Sequence, residues 1–390
     1  MIAHKIELRP SEKQIAYFKQ ACGTSRFVWN WALAEWDKQY EAGKKPSAMK
    51  LKKQFNAIKY KEFPWLEVIH RDAHSVPFTQ LGKAFVGFFN KIAKHPKFHK
   101  KGQKDSFQVA NDKFEIEDKK VRLPVIGWIR MKECLRFEGR ILSGTVSRIA
   151  DKWFLSVLVD AKPNLKKKTD SKRIGVDLGL KTTIVTSEGK ILQGPKSLRK
   201  NLKRLQVKSR QLSRKVKGSK NREKAKLKLS KLHYRISCQR SDFLHKATTM
   251  LVCESQAISI EDLAVKNMMK NRKLARAISD AGFGEFRRQL EYKSDWYDTE
   301  LHIVDRFFPS SKMCSSCGNI KQDLKLSDRV YKCGNCGISL DRDINAAINL
   351  SKQLPMVSRE VKPVDNHTNL TFVGKGLEEA GTKGVYTFAH

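Results

Sequence analysis

The chain has no run of about 20 apolar residues, the length a helix needs to cross a bilayer, so it carries no membrane-spanning helix. Its opening, Met1-Ile2-Ala3-His4-Lys5, lacks a signal-peptide core, which predicts a protein of the cytoplasm. Acids are scarce: 40 Asp and Glu stand against 78 Lys and Arg, for a formal charge of +38 and a pI near 10.0. A folded chain with that excess repels itself unless a polyanion or an acidic lipid surface offsets it. Phosphate contacts also release condensed counterions, so nucleic acid is the expected partner. A purely structural basic protein would share this charge, which therefore bounds the partner and not the activity. A disulfide framework is missing too. Of eight cysteines, Cys22, Cys134, Cys238 and Cys253 lie singly in apolar or helical surroundings, as free thiols do in a reducing compartment. There is no internal repeat. With 390 residues, 40% of them hydrophobic, the chain is long enough for two to four domains with real cores.

Residues 2–9 alternate, with Ile2, Ile6 and Leu8 against Lys5, Glu7 and Arg9, and predict a short strand. Ser11 and Gln14 after Pro10 form a capping-box signal, so a helix follows. Helical spacing then continues to about residue 95: Phe27, Val28, Trp31, Ala32 and Trp36, a break near Gly43–Pro46, then Leu51, Phe55 and Ile58, then Leu81, Phe85, Phe88 and Phe89. Between 106 and 160 the pattern changes to short alternating runs at 114–117, 121–123, 128–131, 142–149 and 153–159. These predict a small antiparallel barrel or curled sheet, closed by the strand at 2–9, with the helical block as an insertion. Ala161–Lys172 is polar and basic and reads as a linker.

Residues 173–308 run strand, strand, long helices, strand, helix, strand. Within them, 199–235 hold sixteen Lys or Arg against one Glu. Leu202, Leu205, Leu212 and Val216, then Leu227, Leu232 and Ile236, give two apolar stripes either side of Gly218-Ser219, which predicts a basic helical hairpin. Charge runs are commonly just solvated faces. The near absence of acids favours contact with a phosphate backbone, with Arg199, Lys203, Arg204, Lys208, Arg210 and Arg214 as candidates. From Gln353 the periodicity fades, and the tail to His390 is expected to be disordered.

Cys314-Ser-Ser-Cys317 is followed by fifteen residues and then Cys333-Gly-Asn-Cys336. Two such turns bring four thiolates to one tetrahedral zinc ion, and Gly318 and Gly337 permit the tight turns. Val330–Lys332 reads as a ribbon strand. A redox motif would not be duplicated at this spacing. Four sulfur ligands leave no open position, so the zinc would be structural.

Three acidic segments surround this motif. Arg173-Ile-Gly-Val-Asp177-Leu-Gly is an apolar strand carrying one acid, and an acid there is costly to bury unless it meets a cation or hydrogen bonds. Gln256–Leu263 is a second apolar strand ending in Glu261-Asp262. Asp341-Arg-Asp343-Ile-Asn-Ala-Ala opens a helix beyond the zinc motif. Taken singly, each is more commonly a surface acid or a helix cap, and Asp341 could be only a cap. Taken together in this order, they predict a carboxylate cluster able to hold two divalent cations, Mg²⁺ or Mn²⁺, for phosphodiester hydrolysis.

The GVDLGLK strand, the IEDL strand, the PSSKxCSxCG and CGNCG knuckles and the DRDINAAINL helix resemble the transposon-encoded TnpB (OrfB) nucleases, relatives of the type V CRISPR effectors. The similarity covers roughly residues 1–350. It implies an α/β multidomain protein. A wedge-like β-barrel would span 1–10 and 96–163, and a helical recognition insert 11–95. A RuvC, RNase H-like nuclease domain would span 173–308 and 340–354, with an inserted zinc-ribbon target-binding domain at 309–339 and a disordered tail at 355–390. The resemblance carries Asp177, Glu261 and Asp343 over as the three catalytic acids; Asp343 rather than Asp341 matches because it precedes the Asn-Ala-Ala start of the helix. It implies a monomer that binds a noncoding guide RNA from the transposon end and cleaves double-stranded DNA beside a short adjacent motif. Gln80 and Lys83 are candidates for reading that motif and Arg342 for a nucleic-acid contact, against the plainer reading of exposed helix residues. A guide-dependent repressor, a transposase and a junction resolvase or plain RNase H are the alternatives. Intact acids oppose the first and the absence of a convincing helix-turn-helix the second. The helical insert, barrel and zinc ribbon are superfluous for the last.

Overall fold

The computed structural model describes residues 1–161, 172–325 and 327–355, and the chain divides between Lys162 and Pro163 into two compact units. The predicted linker, but for its ends, and the tail beyond Pro355 lie outside the described residues.

In the first unit β1 (Ile2–Arg9) buries every second side chain from Ile2 to Leu8, as its alternation requires. The helices α1 (Glu12–Glu41), α2 (Ala48–Glu62) and α3 (Arg71–Phe89) follow. The capping box at Ser11 is present: Gln14 N donates to Ser11 Oγ and Ser11 N donates to Gln14 Oε1 at 2.9 Å. Gln14 Nε2 also donates to the carbonyl of Trp128 at 3.0 Å, so the cap ties α1 to the sheet. The remaining strands are β2 (Ser106–Ala110), β3 (Glu115–Glu117), β4 (Lys120–Leu123), β5 (Gly127–Met131), β6 (Arg140–Ile149) and β7 (Lys152–Asp160).

These strands form one antiparallel sheet in the order β2-β6-β7-β1-β5-β4-β3. As expected, β1 joins the later strands, and it lies at their centre, with Ile6 opposite Leu155 and Leu8 opposite Met131. The expected barrel closure is not found: β2 and β3 are edges and do not pair. β2 is also a strand that the alternating runs did not mark, because only Phe107 and Val109 of Ser-Phe-Gln-Val-Ala face the core. One core joins Ile6, Val121, Ile129 and Leu155 to Phe18 and Cys22 of α1. A second lies among the helices, around Leu33, Trp36, Phe55, Phe78 and Phe85, with the Trp36 and Phe85 rings stacked at 4.0 Å. α3 starts ten residues before the apolar spacing that announced it, and it accommodates a buried Pro77.

The second unit is a mixed α/β structure. Its strands are β8 (Arg173–Asp177), β9 (Ile184–Thr186), β10 (Ile191–Leu192), β11 (Ala257–Glu261) and β12 (Glu300–Val304). Between β10 and β11 run α4 (Ser197–Ser213) and α5 (Lys220–Glu254); between β11 and β12 run α6 (Val265–Met268), α7 (Ala275–Ala281) and α8 (Phe283–Tyr297). The zinc-motif segment contributes β13 (Val330–Lys332) and β14 (Ser339–Asp341), and α9 (Arg342–Ser351) follows. The five-stranded sheet has the order β10-β9-β8-β11-β12, with β8, β11 and β12 parallel. The basic hairpin is α4 and α5, turning at Gly218 (φ +86°) with Ser219 as N-cap. α5 runs on to Glu254, well past the basic stretch, because Leu244, Leu251 and Val252 carry its apolar stripe from α4 onto the sheet.

Gly175 explains how α9 seats on β8. A Cβ there would fall on the carbonyl oxygen of Ala347 and the backbone nitrogen of Ser351, so strand and helix meet backbone to backbone. Neither atom can move without breaking the helix. Gly175→Ala is therefore expected to destabilise the unit by roughly 3 kcal/mol or more, the upper end of overpacking costs. Denaturant unfolding monitored by circular dichroism checks this.

Candidate active site and metal centre

β8 and β11 are parallel neighbours, with Val176 opposite Ile260. The next residue on each, Asp177 and Glu261, therefore ends its strand on the same edge of the sheet. Carboxyl-terminal strand edges are where open α/β sheets place their ligands. α9 packs on β8 and β11 and brings a third acid there from the other end of the unit. Asp341 is its N-cap: one carboxylate oxygen accepts from Asp343 N at 2.9 Å and Ile344 N at 3.2 Å. With Asp341 engaged in capping, Asp343 in the first helical turn is the acid that acts on Asp177. Burial, followed by the like charges of Asp343 and Glu261, pushes Asp177 up to about 7, with Arg342 opposing. Burial and then Asp262 raise Glu261 as well.

Glu261 closes β11, whereas Asp262, just beyond it, has its own partners. Asp262 pairs with Arg306 and Arg287, and their hydrogen bonds hold its carboxyl below the usual range. Those two arginines come from α8 and from the loop after β12, a long-range pairing with no local sequence signal.

The four cysteine sulfurs all lie within 4.8 Å of one another, the only such His, Cys, Asp or Glu cluster among the described residues. Cys314 Sγ is 3.6 Å from Cys336 Sγ, and Cys317 Sγ is 3.6 Å from Cys333 Sγ. A tetrahedron built on zinc–sulfur bonds of about 2.3 Å has edges of about 3.8 Å, so the spacing fits zinc. It is far beyond the disulfide length of about 2.05 Å. N–H donors surround the sulfurs. Asn335 N and Cys336 N reach Cys333 Sγ at 3.4 and 3.5 Å, and Asn335 Nδ2 reaches Cys317 Sγ at 3.6 Å. Hydrogen bonds from the Asn319 backbone and the Asn335 side chain lower the Cys317 thiol, and backbone hydrogen bonds lower Cys333. Against a backbone hydrogen bond, partial desolvation and the neighbouring sulfurs raise Cys336, as expected of thiols this close sharing their protons. Gly318 and Gly337 have φ of +76° and +74°, the left-handed turn expected of them.

The metal centre and the acidic helix are coupled. Asn345 and Asn349 of α9 are fully buried. Asn345 Nδ2 donates to Met313 O at 2.8 Å while Asn345 Oδ1 accepts from Ser315 N at 2.9 Å, and Asn349 Nδ2 donates to Ser310 O at 2.8 Å. The first cysteine turn is thus pinned to the helix that carries Asp343. No pattern of spacing or composition singles out these asparagines.

Among the basic candidates, Arg199, Lys203, Arg204, Arg210 and Arg214 are exposed along or just beyond α4, Lys208 is half-buried, and α4 contains no acid. Arg342 is placed differently: its Nη1 donates to the carbonyls of Lys325 at 3.2 Å and Asp328 at 3.3 Å, bracing the zinc segment. Gln80 and Lys83 are exposed on α3, with Gln80 Nε2 3.4 Å from Gln108 Oε1. Replacing Lys203 and Arg210 with Glu is expected to weaken nucleic-acid binding without changing its sequence preference. The slope of log affinity against log salt should fall by about 1 for each phosphate no longer neutralised; filter binding across a salt series measures it.

Residues 156–272 match the OrfB/IS605 family, described as "Probable transposase", and residues 283–350 match the domain described as "Cas12f1-like, TNB domain". Residues 1–45 match a "Helix-turn-helix domain"; here that stretch is β1 followed by the single 30-residue helix α1. The chain is 36% identical over 357 residues to a Streptomyces pristinaespiralis protein named "Putative RNA-guided DNA endonuclease", covering 89% of this chain and 88% of that one. It is 34% identical over 373 residues to the InsQ protein of Escherichia coli K12, which carries the same description, covering 89% and 91%. Among solved structures, a Cas12f1–sgRNA–target DNA complex shares the fold with a TM-score of 0.57 at 16% identity, over 87% of this chain and 83% of that one.

Proposed function

The chain belongs to the TnpB (OrfB) family, related to the type V CRISPR effectors, and on that premise we propose that it is an RNA-guided DNA endonuclease with one RuvC-type centre made by Asp177, Glu261 and Asp343. The observation that carries this is the placement of Asp177 and Glu261 at the ends of adjacent parallel strands with Asp343 on the helix packed against them, an arrangement in which both like charges raise the half-buried Asp177 carboxyl. Arg342 offsets only part of this repulsion, and a cation shared by the carboxylates would relieve the rest. Two divalent ions held there would activate a water against the scissile phosphate and stabilise the leaving 3′ oxygen. The protein's own task is to fix the acids in place. Asp177 and Glu261 do so from adjacent parallel strands, and Asp343 does so from a helix start whose partial positive charge favours a carboxylate. Asp341 holds that first turn in register, and the arginine pair on Asp262 keeps the neighbouring acid turned away.

Sequence reading would belong to a noncoding RNA from the transposon end, whose heteroduplex with DNA the protein grips by its backbone. The acid-free face of α4 suits that grip, and Gln80 and Lys83 would contact the short motif beside the target. One centre, in a monomer, would then cut both strands in turn, with Mg²⁺ or Mn²⁺ as the metal. The test is to purify the protein from cells carrying its native flanking DNA and sequence the bound RNA. Target cleavage is then assayed with Mg²⁺, with Mn²⁺ and with Asp177→Ala. A discrete RNA and cutting lost in the variant are expected. Heterogeneous RNA, or full cutting by Asp177→Ala, would overturn the reading, and joining of transposon ends in the assay would make the protein a transposase.

A further inference from the structure

Resting on that nuclease reading, we propose that a cavity next to the carboxylate end of β8 seats one unstacked nucleotide of the strand being cut. The cavity holds about 320 Å³, the lower end of the range for ligand sites. It lies where the loop after β8 meets α4, α5 and α7. Leu180, Leu198, Leu202, Phe243 and Ala277 make an apolar lining, and Arg199, Lys273 and Arg276 add exposed cations. An apolar slot with a cationic rim matches a nucleotide, whose base is flat and weakly hydrated and whose phosphate is anionic. The volume is ample for one base, and a base that enters between these apolar walls leaves its stack to do so.

The internal charges set its orientation. The start of α4, where backbone N–H groups point outward, has the geometry that suits a phosphate. Asp280 of α7 already fills that position, its two oxygens accepting from Leu198 N at 2.9 Å and Arg199 N at 3.0 Å. Its negative charge repels an anion from the interior and leaves the rim cations to hold the phosphate. The base therefore points inward. Two further basic residues hold the walls: Arg240 Nη1 donates to Ser279 O at 2.8 Å and Lys196 Nζ to Lys181 O at 3.0 Å. Leu180 of the lining is three residues beyond Asp177, at most about 11 Å of extended chain, so a strand with its scissile phosphate at the acids would have a nearby nucleotide within reach of the slot.

The test uses single-stranded target DNA with one 2-aminopurine, whose fluorescence rises on unstacking, walked along the strand and bound to full-length Asp177→Ala protein carrying its co-purified RNA. One position is expected to brighten. Ala277→Trp in the same background, which fills the slot, should abolish that brightening and weaken binding about tenfold, a typical effect of removing one base from its stacking partner. Arg276→Glu should weaken binding with the bright position unmoved. No bright position, or brightening that survives Ala277→Trp in a protein that still binds, would overturn the proposal. Cleavage by the unsubstituted protein, run alongside, separates the two readings. Guided cutting with no bright position removes the slot and keeps the nuclease; a bright position without cutting does the reverse.

Discussion

Asp177→Asn is expected to lower cleavage by roughly a thousandfold or more and, at the same time, to raise the melting temperature of the protein at pH 8 in buffer without added divalent cations. The two effects share a cause. Burial and the neighbouring acids move the Asp177 carboxyl from 3.8 up to about 7 in the folded chain. A raised folded value means that the folded state holds the proton more tightly than the unfolded state does. Its contribution to stability is fully present below pH 3.8 and is lost as pH rises through about 7. At pH 8 the ionised carboxylate therefore opposes folding, by at most about 4 kcal/mol for a shift of this size. Asparagine keeps the shape and removes the charge. Thermal melts of both proteins from pH 5 to pH 8 check this: the gap should open with rising pH and narrow when Mg²⁺ is added, because cations relieve the same repulsion. A variant less stable than the parent at pH 8 would show that Asp177 is held by unseen partners and not strained by its neighbours.

Removing the zinc is expected to stop cleavage as completely as removing a catalytic acid, although the four sulfurs have no place in the chemistry. Structural zinc supplies about 10–16 kcal/mol in small zinc-binding peptides, comparable to the whole stability of a domain. Without it the turn at Cys314–Cys317 should unfold, and Asn345 and Asn349 would lose the carbonyls that seat α9. Asp343 sits two residues before Asn345, so its carboxylate should drift from Asp177. Cys317→Ser, assayed with excess Mg²⁺, should show both lost cutting and faster hydrogen exchange in α9. Asn345→Ala, with zinc retained, should reproduce part of the activity loss. A zinc-free protein that cuts normally would show the ribbon and the acids to be independent.

Much of this site was legible because its parts are local. Each cysteine pair sits on one turn, and each acid sits at a strand end or helix start with an apolar run behind it. The capping box at Ser11 is equally local, and it forms as its spacing predicts. What escaped depended on distant partners. β2 has two core-facing residues and becomes a strand only beside β6. The barrel does not close because the pairing of β2 with β3 that closure needs is absent, and no alternation of residues states which edges will meet. Gly175 looks like any strand glycine until α9 is laid on it. Arg342 is a nucleic-acid candidate on sequence, and its bonds to the carbonyls of Lys325 and Asp328 carry no sequence signal. The helix matched as part of a helix-turn-helix runs unbroken for 30 residues, through Gly23, because its apolar face passes from one core at Phe18 to another at Leu33.

The seating of α9 on β8 has a consequence in time as well as in space. Both units are closed by elements far along the chain from the ones they complete: β7 pairs with β1 across about 150 residues, and α9 meets β8 across a similar distance. Contacts of such long sequence separation form slowly and late. On a ribosome adding about 5–20 residues per second, β8 and β11 are exposed for many seconds before their covering helix is made. During that interval the nascent chain carries Asp177 and Glu261 but not Asp343, so the proposed metal site would be incomplete. On the proposed nuclease reading, cutting ability would arrive only once α9 is made, after the long basic hairpin has already emerged.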